Sequence, residues 1–330
     1  MDHEMTATGL RNTLTLRCGF AVILGSAAIL SLHAQPETPH PATPTNAVEG
    51  ILGAFSSHSI VALDEGMHNN IPAHQFRLAL IRDSRFADTI NDIVVEFGNA
   101  LYQDRMDRFI AGGEVPDAEL REVWQNTTQA NAVWDVPIYE DFFRAVRDLN
   151  VTLPASRRVR ILLGDPPVDW STVRAGNDVG RWTVQRDAHA VMVIEREVIA
   201  KNRSALVIYG GGHLFRAGRR LVALLEAAIH RRVFTIVTPI MPSANVSLLK
   251  ARTDLARWPI PSLALIRGTT LDAQQFVYYD AVLYVGTQAS FSTLPKALCL
   301  DKSYLEMRTS RLRVVGMDRE AERLLRRCAN

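Results

Sequence analysis

The sequence predicts an α/β protein with a mostly parallel central sheet and helices on both faces. Three observations carry this expectation. Short runs rich in Val, Ile, Leu and Ala recur at 60–63, 93–95, 159–163, 205–209, 233–237 and 281–285. Segments with apolar residues at helical spacing separate most of them, and that alternation is the signature of a parallel sheet with crossover helices. Several runs end in a carboxylate or in glycine, as strands do where they meet loops at the carboxyl edge of such a sheet.

The elements follow in order. Residues 47–56 read as a short helix and 60–63 as the first strand. The stretch 71–81 reads as a helix with Pro72 near its start, where a missing N–H costs little. A strand over 92–97 follows. A helix over 100–111 stops at Gly112-Gly113, and two amphipathic helices cover 117–125 and 138–149. After the strand at 159–163 comes Gly164-Asp165-Pro166-Pro167, then a long helix over 183–201. The strand at 205–209 runs into Gly210-Gly211-Gly212-His213. A helix over 219–230, a strand at 233–237 and a last strand at 281–285 complete the pattern. Nothing after residue 46 reads as a domain linker, so 47–330 is expected to be one domain.

The chain has 330 residues, 47% apolar and 22% charged, with a formal charge of +2. It carries no basic stripe interleaved with aromatics, which argues against nucleic acid as a partner. Arg11 and Arg17 precede fifteen uncharged residues, Cys18 to Leu32, and small residues near Ala34 offer a cleavage point. That stretch has the length of a signal-peptide core and is short for a membrane span. Residues 1–34 are therefore expected to be a signal peptide, and 35–46, rich in Pro and Thr, a disordered linker. The protein is expected to be exported, periplasmic or secreted, without stable membrane insertion once cleaved. Cys299 and Cys328 remain after cleavage, and the sequence leaves a bridge or two free thiols open.

The residues that can carry chemistry cluster at strand ends. Asp64-Glu65-Gly66-Met67-His68 follows the first strand, Arg77 lies on the next helix, and Glu96 closes the strand after it. A neutral imidazole needs its second nitrogen held to serve as base or ligand, and Glu65 is close enough in sequence to hold His68. Glu96 sits among apolar residues, so burial demands a partner, and Arg77 is one candidate. His213 follows three glycines, of which Gly212 leaves room for a ligand. Asp165 is a turn aspartate or a binding group, Asp187 complements a helix dipole, and Arg186 can point into a cleft. Trp134 reads as core or rim. No Gly-x-Ser-x-Gly elbow occurs, which argues against a serine nucleophile.

These residues resemble the superfamily that joins erythromycin esterases, ChaN-type haem-uptake proteins and Tiki proteases. The resemblance rests on Glu65-Gly66-Met67-His68, Arg77, Glu96, Arg186-Asp187 and Gly210-Gly211-Gly212-His213, over about residues 58–215. It implies an α/β fold with a cleft lined by histidines, glutamates and an arginine. As in esterase-like members, it implies a small-molecule substrate and a water activated without a cofactor. His68 would be the base, Glu65 and Glu96 would hold it or the water, and Arg77 and His213 would stabilise developing charge. Arg186, Asp165 and Gly212 are then candidate substrate-binding residues. As in Tiki-like members, His68, His213, Glu65 and Glu96 would instead hold a divalent metal for hydrolysis. As in ChaN-type members, the protein would bind haem.

Overall fold

The computed structural model describes residues 39–240, 244–272 and 276–329. They lie in one compact unit, Thr38–Asn330. The expected signal segment lies outside the described residues. The fold is α/β, as the alternating pattern predicts. Eight strands form one sheet: β1 (Thr45–Asn46), β2 (Ile60–Asp64), β3 (Asp92–Asn99), β4 (Arg160–Asp165), β5 (Ala205–Tyr209), β6 (Phe234–Val237), β7 (Ser262–Leu265) and β8 (Ala281–Tyr284). Their order is β1-β7-β8-β6-β2-β5-β3-β4. Six strands, from β8 to β4, run parallel. β7 is antiparallel to β8, and β1 to β7.

That antiparallel corner was not expected. The chain there was expected to be free linker, yet Thr45 and Asn46 pair with Leu263 and Ser262, and His40 exchanges backbone hydrogen bonds with Gly268 and Thr270. The physical reason is the open edge of β7, whose unpaired backbone groups need partners.

The central strands are apolar throughout because both faces are covered. Successive side chains point to opposite faces. From β2, Val61 and Leu63 join one core with the helices Ala47–Ala54, Ile71–Ile81 and Pro137–Val151, while Ile60 and Ala62 join the other with Arg186–Ile194 and Leu221–Ile229. Asn70 caps Ile71–Ile81 by accepting from Ala73 N at 2.9 Å. The long helix expected over 183–201 is broken. Gly176–Thr183 ends before Gln185, Arg186–Ile194 starts afresh, and Glu195–Ile199 winds as a π-helix. The break puts Arg186 and Asp187 in the first turn of their own helix. A third, smaller core forms between the C-terminal helices Lys302–Val314 and Asp318–Ala329. A Cys299–Cys328 disulfide ties that last helix to Lys296–Leu300, which settles the open choice in favour of a bridge. No helix among the described residues is long and apolar enough to cross a membrane.

Candidate active site

The carboxyl ends of β2, β3, β4 and β5 converge, and the end of β2 builds the first half of the site. Asp64 is buried and holds the turn: it accepts from Gly66 N at 2.8 Å and Thr238 N at 3.0 Å. Burial pushes its carboxyl up to about 6 against those hydrogen bonds. Gly66 has φ +80°, a conformation that glycine adopts at no steric cost. The turn drops Glu65 below the surface, at 1% exposure. Glu65 Oε1 accepts from the Tyr139 hydroxyl at 2.6 Å, and Oε2 faces His68 Nδ1 at 3.0 Å. A carboxylate that accepts from Tyr139 fixes the proton on His68 Nδ1 and leaves Nε2 open. Burial pulls the imidazole pKa down, but the Glu65 charge and hydrogen bond outweigh it, so His68 lies above its ordinary value. The Trp134 ring packs edge-on against His68, with centroids 4.6 Å apart.

The second half gathers on Glu96. Its Oε2 accepts from Gly210 N at 2.8 Å, and its Oε1 is shared by Arg186 Nη2 at 2.5 Å and His213 Nε2 at 3.4 Å. Burial pushes the carboxyl up, but the His213 hydrogen bond and the Arg186 charge hold it well below the usual carboxylate range. His213 Nδ1 pairs with Asp187. Both ring nitrogens therefore face carboxylates. Burial pulls the imidazole down, yet Asp187 and Glu96 raise it to about 9, so His213 is a cation at neutral pH. Asp165 anchors Arg186 from behind, 3.3 Å from its Nε, and accepts from Thr128 N and Oγ1 at 2.7 and 2.6 Å.

The two halves meet over Gly210. A Cβ placed there would lie 3.5 Å from His68 Cε1, 3.5 Å from Glu96 Oε2 and 3.9 Å from His213 Cδ2. Glycine thus leaves a small floor between two histidines with different partners.

The structure brings Glu65, His68, Glu96, Arg186 and His213 together. Arg77 meets them from behind: it is 3% exposed, donates from Nη1 to the Glu65 carbonyl at 3.1 Å and holds Nη2 4.0 Å from Glu65 Oε1, so it braces the turn and faces the Glu65 charge rather than the cleft. Glu96 pairs with Arg186 rather than Arg77, because the Arg186 helix packs on the face of the sheet that its side chain reaches. Asp165 is 1% exposed and saturated, so it positions Arg186 and is closed to substrate. Gly212 borders open space. Asp187 and Trp134 belong to the site although the sequence reads as giving them other roles, and Tyr139 joins it with no sequence signal of its own.

Among the described residues, no group of three or more His, Cys, Asp or Glu side chains is placed to hold a metal ion. The set His68, His213, Glu65 and Glu96 does not fit one as arranged. Both nitrogens of His213 face carboxylates, and the oxygens of Glu65 and Glu96 are taken by protein partners. Of that set, His68 Nε2 is the open donor, and one nitrogen is too little for the four-ligand metal site.

No family model matches the chain. No curated protein matches it either. Among solved structures, the type III effector HopBA1 is similar over 78% of this chain and 100% of its own, at 13% identity and a TM-score of 0.43. A crystallised protein from Bacillus cereus is similar over 77% of this chain and 97% of its own, at 10% identity and a TM-score of 0.49. Neither likeness carries an argument about activity.

Proposed function

We propose that the protein is an esterase-like hydrolase that activates water with His68, in keeping with the superfamily its motifs resemble. One observation carries this reading: an imidazole held at Nδ1 and open at Nε2, Glu65–His68, faces an imidazole held at both nitrogens, Asp187–His213–Glu96, across Gly210. A water at His68 Nε2 gives up a proton to that nitrogen as its oxygen attacks the ester carbonyl. The carbonyl oxygen gains negative charge, which the His213 imidazolium and the Arg186 guanidinium stabilise. The C–O bond to the alcohol then breaks, and the proton on His68 passes to the leaving oxygen. Glu65, itself held by Tyr139, keeps the imidazole in the required tautomer throughout. Glu96 orients both cations and stays ionised. The Cys299–Cys328 bridge supports export as well, since disulfides persist in oxidising compartments.

The test is hydrolysis of chromogenic p-nitrophenyl esters by the purified protein and by His68→Gln. Release of nitrophenol by the wild type, lost in the variant, is expected. Equal rates in the two proteins would falsify the assignment of His68 as base.

A further inference from the structure

One irregular segment serves both halves of the site. Residues 126–136 join the helices Asp117–Gln125 and Pro137–Val151. Near the start of the segment, the Thr128 N–H and hydroxyl donate to the two oxygens of Asp165, which stands behind Arg186. Near its end, Trp134 packs edge-on against His68 and also against Tyr139, whose hydroxyl holds Glu65. A segment outside helix and strand needs other partners for its backbone to keep one shape. The C-terminal helix Lys302–Val314 supplies them. Arg311 Nη1 donates to the Gln125 carbonyl at 3.0 Å, just before the segment, and Arg308 Nη1 to the Ala130 carbonyl at 3.3 Å. Arg308 Nη2 lies 2.8 Å from Asp135 Oδ1 and 2.7 Å from Oδ2, and the Tyr304 hydroxyl donates to the same carboxylate. Arg308 and Asp135 are both buried. Separating such a pair leaves a charge buried and unpaired, so the segment and the helix stay together. The Cys299–Cys328 bridge closes a loop that contains this helix.

We infer that Tyr304 and Arg308 are positioning residues of the site, acting through Asp135 and Trp134 on His68, which makes the C-terminal helices a working part of it. The placement of His68 is independent of the reaction; its bearing on rate rests on the hydrolytic reading of the site.

Histidine imidazole NMR tests the placement. The His68 signal, assigned by its absence from His68→Gln, lies in the field of the Trp134 ring, and Trp134→Leu marks where it falls without that ring. In Arg308→Met and Tyr304→Phe the signal is expected to move toward the Trp134→Leu position, further in Arg308→Met. In Arg313→Met, exposed on the same helix, it is expected to stay. Hydrolysis of a p-nitrophenyl ester by Arg308→Met is expected to fall about tenfold in kcat with KM little changed, as follows when a reacting group is displaced by a fraction of an ångström. A purely structural role would lower the unfolding midpoint and leave the His68 signal of the folded protein in place. Tyr304→Phe removes one hydroxyl and keeps the ion pair, so it decides the matter if Arg308→Met does not fold. Unmoved signals in the folded variants overturn the inference. Undiminished hydrolysis in variants whose signal has moved overturns its bearing on rate. Moved signals with no hydrolysis by the wild type leave the positioning standing and overturn the hydrolytic reading.

Discussion

His68 and His213 occupy equivalent places and end with different partners. Each follows a parallel strand, each is partly exposed, and each turns Nδ1 toward a carboxylate. His68 has that one carboxylate and an open Nε2. His213 has a second carboxylate, Glu96, at Nε2, which lifts it to about 9. The number of carboxylates around a ring, rather than its place at a strand end, sets which of its nitrogens stays open and how strongly its cation is favoured. The comparison can be broken one residue at a time.

Activity gives the largest expected effect. His68→Gln removes the base, and ester hydrolysis is expected to fall by about a hundred- to ten-thousandfold. His213→Gln removes a stabilising cation and keeps a neutral donor, so a loss of about a hundredfold is expected. Steady-state rates on one ester, with folding checked by circular dichroism, compare the two. A larger loss at His213 than at His68 would reverse the assignment of base and cation.

Stability comes next. Glu96 is 2% exposed and answers two cations. Glu96→Gln removes the carboxylate they share and leaves Arg186 with Asp165 and His213 with Asp187, so the loss is expected to stay at or below about 3–5 kcal/mol, the cost of a fully broken buried pair. Urea unfolding should show it as a lower midpoint with an unchanged slope. A variant as stable as the wild type would mean that Glu96 does not hold Arg186 and His213.

The pH dependence separates the rings directly. His213 is raised from 6.5 to about 9 in the folded protein. A raised base stabilises the fold fully below its unfolded pKa and loses that contribution as pH rises through the folded one. Stability is therefore expected to fall between about pH 6.5 and 9, by about 3 kcal/mol for a shift of that size. Hydrolysis is expected to rise with pH as His68, shifted upward, becomes neutral, then to decline near 9 as His213 loses its proton. Asp187→Asn removes the partner of Nδ1 and should move the alkaline limb down while leaving the acid limb in place. An alkaline limb unmoved by Asp187→Asn would assign it to another group.

Much of the scaffold was legible in the sequence. The helix at 71–81 and the strand at 205–209 appear with the bounds their patterns predict, because a capping residue and a glycine run mark their ends. β7 was missed because four residues ending in an exposed Leu265 carry no periodicity, and β1 has only two residues. At the site, neighbours close in sequence were legible and those far apart were not. Glu65 holds His68 three residues away, as the spacing suggests. Asp187 reaches His213 from 26 residues away, and a first-turn aspartate is equally well explained by the helix dipole. Tyr139 lies on the helix expected over 138–149, where nothing in the sequence singles it out. It is buried among apolar residues, and only its hydroxyl, aimed at Glu65, marks it as part of the site.

The smallest structural change tests the meeting point of the two rings. The run Gly210-Gly211-Gly212 offers three alanine substitutions with different neighbours. At Gly212 a Cβ meets nothing within 4 Å, so Gly212→Ala should alter neither stability nor rate. At Gly211 it lies 2.9 Å from Asp64 Oδ2, which is too close, and the turn that places Glu65 must shift. Gly211→Ala should lower both stability and rate. Gly210 has φ −60° and ψ 142°, which any residue adopts, and its Cβ would make ordinary contacts at 3.5 Å. Gly210→Ala should therefore keep or raise stability, by up to about 1 kcal/mol through the unfolded chain. Its methyl group nevertheless fills the floor between His68, Glu96 and His213, where the attacking water and the developing oxyanion would sit. Thermal melts and ester hydrolysis on the three variants distinguish these outcomes. Full activity in Gly210→Ala would place the reacting atoms elsewhere and make the facing histidines two separate structural pairs.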